Sequence, residues 1–357
     1  MRLKILFFIT VLSPFYSHAQ ANSSLQLSLD SQSFSSIAPI HQLLDDMEGS
    51  PVHKGKFAFT HNQLEASFSQ DNIEYSLFQR YDYYLKFNND TAQLAYLLKN
   101  DIPLPKNKHY KVYLQANHLH AWGLAIAKQI EVSDTASVKA RLNYLQADKT
   151  TNGYLKGYLQ SLDDGYQAQL YLDYGYSRDT LLKRPKEPTE GHGLSLDIDI
   201  NWQATDNLKL SLLGRDIASY IKYRDLAYTQ ANANTDTISY NQNGAIDAKP
   251  TVSGVERNRK QSQKLPSRLE LIGEYSLTQQ DGITAELFSY DYQLFPRIGY
   301  TQKKPAYYWR LDYDLRTQAL GIGIGHQNLG FSLRSDSLKW EAAQVVEISI
   351  VGKYYFN

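Results

Sequence analysis

Two pairs of carboxylates are the residues of this chain whose type and spacing could do chemistry. Asp197 and Asp199 are two positions apart, and so are Asp312 and Asp314. In a β-strand, residues two apart lie on one face, about 7 Å from each other. That spacing would allow acid–base catalysis or calcium binding if loops closed over the pairs. Arginines and lysines of neighbouring segments are the more ordinary partners, so we interpret both pairs as members of ion pairs.

Nucleophiles and metal ligands are poorly represented in the chain. It has no cysteine, which excludes disulfides, thiolate metal sites and cysteine nucleophiles. The motif Gly193-x-Ser195 lacks the second glycine of a nucleophile elbow. His118 and His120 have no third ligand at a suitable spacing. We therefore expect no catalytic residue, no metal site and no cofactor, and the chain is not predicted to be an enzyme.

The carboxylates lie in segments that alternate strictly between apolar and polar residues. In GLSLDIDINW, Leu194, Leu196, Ile198 and Ile200 occupy every second position, with polar residues between them. Because strand side chains alternate faces, this segment has one apolar and one charged face. The same pattern recurs through most of the chain. It predicts a set of charged side chains on the polar face: Arg80, Asp82, Lys139, Arg141, Asp173, Asp197, Asp199, Arg268, Glu270, Arg310, Asp312 and Asp314.

The length of the alternating segments favours a membrane barrel over a water-soluble sandwich. They extend to roughly 9–13 residues, the length that a tilted strand needs to cross a bilayer, whereas sandwich strands have about 5–6. Tyrosine is abundant, at 28 residues, and it falls at segment ends, as in an interfacial girdle. In hydrocarbon an open sheet edge is excluded, so such a sheet must close. We predict an all-β transmembrane antiparallel β-barrel of about 16 strands, with a range of 14 to 18.

The C-terminal segment VVEISIVGKYYFN gives a more specific signal. It alternates to the end and carries Tyr354-x-Phe356 close to the C-terminus. In this respect the chain resembles bacterial outer-membrane β-barrel proteins of the porin-like class, in which a terminal aromatic-x-Phe is read by the barrel-assembly machinery. The resemblance implies an outer-membrane location, contact with membrane lipids and lipopolysaccharide, and Tyr354 with Phe356 as the assembly signal. It departs from the family in ending on Asn357.

The organisation of the chain follows from its ends and its connections. Residues 1–21 have the basic, apolar and small-residue pattern of a signal peptide. Residues 22–53 are predicted to form an N-terminal periplasmic or lumenal extension with a short helix, which could plug the lumen, dock on a rim or bind a periplasmic partner. Residues 54–357 are predicted to form the barrel, with a long extracellular loop at about 223–266. That loop is basic and would meet lipopolysaccharide phosphates.

Two functions remain open at this point. A barrel of this size with a clear bore conducts small solutes, so the first prediction is a pore or transporter for small hydrophilic solutes, with a lumen of mixed charge. The alternative is a scaffold or an export or assembly component that binds another envelope protein or a surface polymer. The balance of 37 basic and 37 acidic residues does not favour nucleic acid. The glycines of GIGIG (321–325) are interpreted as making room on the polar face.

Overall fold

The computed structural model describes residues 23–163, 165–179, 189–235, 238–240, 246–248 and 252–356. The predicted signal peptide lies outside the described residues. Strands dominate the described chain, in this order: β1 (Ser23–Ser35), α1 (Ile40–Leu44), β2 (Phe57–Gln70), β3 (Ile73–Phe87), α2 (Asn89–Lys99), β4 (His109–Ser133), β5 (Ala136–Leu162), β6 (Gly165–Tyr176), β7 (Gly191–Thr205), β8 (Leu208–Asn234), β9 (Ile238–Tyr240), β10 (Ile246–Ala248), β11 (Val252–Gln263), β12 (Arg268–Ser276), β13 (Asp281–Tyr290), β14 (Gln293–Lys303), β15 (Tyr308–Asp314), β16 (Leu320–Gly325), β17 (Leu329–Ser335), the 3₁₀ turn Trp340–Ala342 and β18 (Val345–Phe356).

Fourteen of these strands form a closed antiparallel ring. The order around the ring is β1–β2–β3–β4–β5–β7–β8–β12–β13–β14–β15–β16–β17–β18, and β18 pairs with β1 again. Strands β6 and β11 pair with the sheet outside the ring, and β9 and β10 pair only with each other. The predicted all-β barrel is confirmed. The ring has the lowest strand number of the predicted range because two further strands of the sheet do not enter it.

The predicted N-terminal extension is wrong for its first half. Ser23–Ser35 form β1, which pairs with β2 on one side and with β18 on the other, and so completes the ring. The segment SSLQLSLDSQSFS does alternate, with leucines at 25, 27 and 29, but small serines make its apolar face weak. A closed barrel needs a first strand beside the last one, and β1 supplies it.

The second half of that extension lies at the opposite end of the barrel from Ser23 and Phe356. Ser23 and Phe356 are paired at one end, which we call the terminal rim; the other end is the far rim. Residues 36–56 connect β1 to β2 at the far rim, and their helix α1 is only five residues long. Ile37 and Ala38 pack there against Ala58, Phe87 and Ala92. This segment therefore caps the far rim instead of extending from the N-terminus.

The predicted long loop at 223–266 is also wrong, because most of it is strand. β8 continues to Asn234 without a break, and its outer part pairs with β6 on one side and β11 on the other. Strands β4 and β5 likewise run 25 and 27 residues, beyond the ring. These parts of β4, β5 and β8, with β6 and β11, form a sheet that projects from the far rim, which we call the outer extension. β11 is mostly polar, whereas β4, β5 and β6 have an apolar face here, because Tyr110, Val112, Leu159 and Ala168 pack against Leu94 and Leu97 of α2.

The outside of the ring is apolar around its whole circumference. Leu64, Leu77, Leu124, Ile298 and Ile322 are each half or more exposed. A belt of that size is unstable in water and matches the apolar band of a transmembrane barrel. None of the described helices is long and apolar enough to span a membrane.

Candidate functional site: a charged cavity closed at one end

The interior of the ring holds a cavity of about 840 Å³. Its lining begins at the terminal rim, with Ser23, Asp71 and Lys353, and reaches the middle of the barrel at Arg80 and Phe288. Nine acidic and nine basic side chains line it. The cavity is therefore polar and close to electroneutral, as expected from the mixed charges of the alternating strands.

The most buried group of charges in the interior centres on Arg80 of β3. Its guanidinium donates to Asp82 at 2.6 Å and makes two bonds to Asp216 of β8, at 2.5 and 3.0 Å. Asp82 in turn contacts Nδ1 of His61 at 2.5 Å. All four residues are at most 5% exposed. Two carboxylates around one arginine form a tightly satisfied cluster, in which bidentate geometry adds to the charge attraction.

Asp216 was missed by the sequence analysis because a β-bulge changes its face. By alternation from Leu208, Leu210 and Leu212 it would point to the lipid. The pairing of β7 with β8 slips between Leu196 and Ile198, so that extra residues of β8 stand opposite Asp197. Asp216 has a positive φ of 52°, and its N–H donates to Asp197 Oδ1 at 2.8 Å. The bulge thus turns Asp216 inward toward Arg80; a charged residue breaking the apolar face was the available signal.

A second charged cluster lies on the wall formed by β13 to β18. Arg297 donates to Glu286 at 2.6 Å, Asp314 at 3.1 Å and Glu347 at 2.6 Å. Arg310 donates to Glu286 at 2.7 Å. Arg334 bonds both Asp312 and Glu347. The predicted residues Arg310, Asp312 and Asp314 are therefore linked through Arg297 and Arg334, of which Arg297 was not predicted.

A third set of ion pairs lines the wall of β2 to β8. Arg141 makes two bonds to Glu65, at 2.7 and 2.9 Å, and Lys139 contacts Glu74 at 2.9 Å. Asp199 bonds Arg215. No group of three or more histidine and carboxylate residues suited to a metal ion occurs in the described part of the chain.

The other predicted positions lie as follows. Arg268 and Glu270, on β12, line the cavity. Asp173 does not, because its strand β6 lies outside the ring; it contacts Arg259 of β11 at 3.8 Å, and its predicted place in the lumen is wrong. Of the predicted lipid-facing residues, Leu194 and Ile200 are exposed, while Leu196 and Ile198 are partly covered by neighbours. Tyr354 and Phe356 are exposed on the outside of β18, and their role as an assembly signal stays a prediction.

Two glycines of β16 admit larger groups on the inner face. A Cβ on Gly321 would lie 2.3 Å from Asp312 Oδ1, and one on Gly325 would lie 2.3 Å from the ring of Tyr308. A Cβ on Gly323 would have no heavy atom nearer than 3.7 Å. The inner face thus has no space for a side chain at positions 321 and 325, but it does have space at position 323.

The far half of the interior is filled by aromatic side chains. Phe59 of β2 stacks on Tyr290 of β13 with ring centroids 4.0 Å apart, although these strands lie on opposite sides of the ring. Phe34 of β1 meets Phe295 of β14 edge to face at 5.2 Å. Arg316 lies over the ring of Phe295 at 4.8 Å. This aromatic constriction closes the described barrel between the cavity and the far rim.

Beside the aromatic constriction the lumen is filled by aliphatic residues. Leu119, Leu145, Ile221 and Leu226 are completely buried, and Leu265 packs among them. Leu265 belongs to the link between β11 and β12, and its N–H donates to Ser219 Oγ at 2.8 Å. The link therefore folds into the barrel mouth and helps to close it.

Ser195 and His118 are placed where catalysis is not supported. Ser195 is 1% exposed in the middle of β7 and accepts a bond from Asn143 at 3.0 Å. His118 packs its ring against Tyr81 and Tyr83. Ser195 thus lies inside a regular strand and not on the sharp turn of a nucleophile elbow.

A closed ring with an apolar belt outside and paired charges inside decides the class of the molecule. This is the architecture of an outer-membrane β-barrel. The chain resides in the outer membrane.

No protein-family model matches the sequence, and no curated protein matches it. Solved structures with a similar arrangement include the toluene transporter TodX of P. putida, at 10% identity over 95% of this chain and 91% of that one, with a TM-score of 0.45. A FadL homologue of Pseudomonas aeruginosa is 10% identical over 94% and 90% of the two chains, with a TM-score of 0.29. The outer membrane protease OmpT of Escherichia coli is 9% identical over 96% and 99%, with a TM-score of 0.24.

Proposed function

We propose that the chain is a gated outer-membrane channel for small hydrophilic solutes, seen in its closed form. The observation that carries the proposal is the charged cavity of about 840 Å³, which runs from the terminal rim to the middle of the barrel and ends at the aromatic constriction. A barrel built only as a scaffold has no need of a cavity of this size. The cavity supplies a vestibule, and the constriction supplies a gate.

The chemistry of the lining favours a polar cargo. An apolar solute such as the toluene of the TodX transporter would displace water from charged groups without replacing their hydrogen bonds. A hydrated solute keeps those groups solvated. The mixed signs of the lining favour weak discrimination between cations and anions in the vestibule as a whole.

Opening requires the two sides of the aromatic constriction to separate and the aliphatic cluster around Leu265 to move with them. Phe59 and Tyr290 come from opposite walls, and their stacking is a contact of the kind that contributes about 0.5–1.5 kcal/mol beyond area burial. A gate held shut by a few such contacts opens when a bound ligand favours the open state over the closed state by a modest free energy. The outer extension and the 36–56 segment lie at this rim, where a bound ligand would act on it.

Flux into proteoliposomes tests the proposal. We expect slow swelling in glycerol or in small sugars with the wild-type chain, and faster swelling when Phe59→Ala and Tyr290→Ala are combined. Phe68→Ala, which removes an exposed aromatic from the same strand as Phe59, serves as the control and should leave the rate unchanged. If the double variant swells no faster than protein-free liposomes, the channel proposal fails.

One observation favours a second candidate, a scaffold that binds a surface polymer. β11 stands at the end of the sheet order and has no strand partner on its second edge among the described residues, and it exposes Arg257 and Lys260. Lipopolysaccharide phosphates would pair with these cations. Salt-sensitive binding of purified lipopolysaccharide that is lost on combining Arg257→Gln with Lys260→Gln would support this role; binding that is unaffected would exclude it.

A further inference from the structure

One arginine in the cavity differs from the others in lacking a hydrogen-bonded partner. Arg268 begins β12, and β12 lies opposite β1 in the ring of 14 strands. Its guanidinium points across the lumen toward β1, where Asp30 Oδ2 is 3.9 Å from a terminal nitrogen. That distance is beyond a hydrogen bond. Asp30 is the only carboxylate within 4 Å of Arg268 in the described chain.

Arg268 is also deeply buried. The residue is 8% exposed, and its Nε is buried with no hydrogen-bond partner in the described structure. By contrast, Arg80 and Arg297 each make three hydrogen bonds to carboxylates in the same interior. Buried charges are normally paired, because leaving one unpaired costs several kcal/mol. A buried guanidinium that faces a cavity and has one loose ion pair but no hydrogen bond can therefore bind a further partner.

Two of the surrounding carboxylates are not free to supply that partner. Asp82 and Asp216 lie within electrostatic range of Arg268, but both are already bonded to Arg80. The residue directly opposite Arg268 on β8 is a second cation, Arg215, which is bonded to Asp199. Like charges side by side raise the local positive potential, which favours an anion arriving from the cavity.

A second buried polar group of the cavity lacks a partner. The side-chain Oε1 of Gln32 is buried without a hydrogen bond in the described structure. Gln32 lies two residues from Asp30 on β1, on the same face, and opposite His61 in the pairing with β2. Both Gln32 and Arg268 line the cavity. In a ligand that carries both a carboxylate and a hydroxyl, the carboxylate would accept hydrogen bonds from Arg268 and the hydroxyl would donate one to Gln32 Oε1.

We infer that Arg268 anchors a binding site for small organic carboxylates, with hydroxycarboxylates such as lactate preferred. The planar guanidinium matches a carboxylate in a two-point hydrogen bond. The inference deepens the proposed function. It rests on that function only in taking the bound solute to be the transported one. Binding itself requires only the cavity.

Calorimetric titration of the detergent-purified chain with lactate tests this site, with lactamide as the uncharged comparison. We expect saturable lactate binding, no lactamide binding, and at least a tenfold weaker lactate affinity in Arg268→Gln. Lys353→Gln removes the same charge from the same cavity near the terminal rim and should change the affinity less than twofold. Absence of lactate binding by the wild type, or equal weakening in both variants, would overturn the inference.

Stability measurements keep the test valid if a variant folds poorly. Without ligand, Arg268→Gln should melt at the wild-type temperature or above it, because a buried charge without a hydrogen bond is removed. Lactate should raise the melting temperature of the wild type and should not raise that of Arg268→Gln. A large loss of stability in Arg268→Gln without ligand would show that Arg268 is already paired, and the inference would fall.

The outcomes for binding and for flux are separable. If lactate binds through Arg268 but no variant conducts, the site stands and the channel proposal fails. If solutes pass through the variant with an opened constriction but Arg268→Gln leaves lactate affinity unchanged, the channel proposal stands and this inference fails.

Discussion

Arg80 illustrates, at the scale of single residues, how charge is accommodated inside the barrel. It is 5% exposed and bonded to Asp82 and Asp216, and Asp82 is bonded further to His61. In this cluster, the hydrogen bonds to water that are lost on burial are replaced by bonds between the protein's own side chains. The network links β2, β3 and β8, so it also holds distant strands of the wall together.

Substituting Arg80 should therefore destabilise the folded barrel strongly. Arg80→Gln leaves Asp82 and Asp216 with less compensation in a buried place, and we expect a loss of about 3–5 kcal/mol in the free energy of unfolding. Arg257→Gln, the same change at an exposed position of β11, should cost less than about 0.5 kcal/mol. Denaturant unfolding in lipid vesicles measures both, and equal losses would contradict the assigned network.

The glycines of β16 offer a comparison between two positions on one face of one strand. Gly321→Val places a side chain against Asp312, and we expect a loss of about 1–3 kcal/mol from overcrowding. Gly323→Val meets no heavy atom within 3.7 Å of its Cβ, so it should be neutral or slightly stabilising, since valine favours strands. The same unfolding measurement decides between them; a costlier change at 323 would refute the packing described for this wall.

At the scale of the element, β1 and β8 mark where prediction from sequence succeeded and where it stopped. The alternation in β7 gave the faces of Leu194 and Asp197 because lipid lies on one side of it. β1 was missed since serines weaken its apolar face, and the outer halves of β8 and β11 were read as a loop because no lipid imposes a pattern there. The bulge at Asp216 inverts a face locally; the charge at an apolar position signals an irregularity there, but the period of two does not tell where the strand resumes its alternation.

Closure of the ring through β1 can be tested directly in this cysteine-free chain. Leu29 and Ile350 are cross-strand partners, so combining Leu29→Cys with Ile350→Cys should give a disulfide within the folded monomer. Leu25→Cys with Ile350→Cys is four residues out of register, about 13 Å, and should not. Gel mobility with and without reductant provides the measurement. A free N-terminal segment would give little cross-linking in either pair or the same amount in both.

The outer belt leads to a prediction about position within the membrane. Leu196→Arg lies at mid-strand on the lipid side of β7, and we expect it to cost about 2–4 kcal/mol near the bilayer centre. Ile200→Arg lies on the same lipid-facing side of β7 but nearer the terminal rim, and its cost should fall toward about 0–1 kcal/mol. Unfolding in lipid vesicles compares the two. Equal losses in the free energy of unfolding would contradict the placement of Leu196 near the bilayer centre.

For the whole molecule, the fold class was accessible from sequence, but the state of the lumen was not. Alternation and strand length indicate a barrel, and mixed charges indicate a polar interior. They do not tell whether the interior is open, because closure depends on contacts between opposite walls, such as Phe59 with Tyr290. These aromatic residues occupy inward positions of β2 and β13, on the same faces as His61 and Glu286. Sequence periodicity does not distinguish a side chain that crosses the lumen from one that lines it.

Single-channel recording in planar bilayers is the most direct test of a polar vestibule shut by the aromatic constriction. The account predicts that the wild-type chain is silent or opens only briefly, and that combining Phe59→Ala with Tyr290→Ala gives long, stable openings with weak ion selectivity. Large, steady conductance in the wild type that the double substitution leaves unchanged would contradict it.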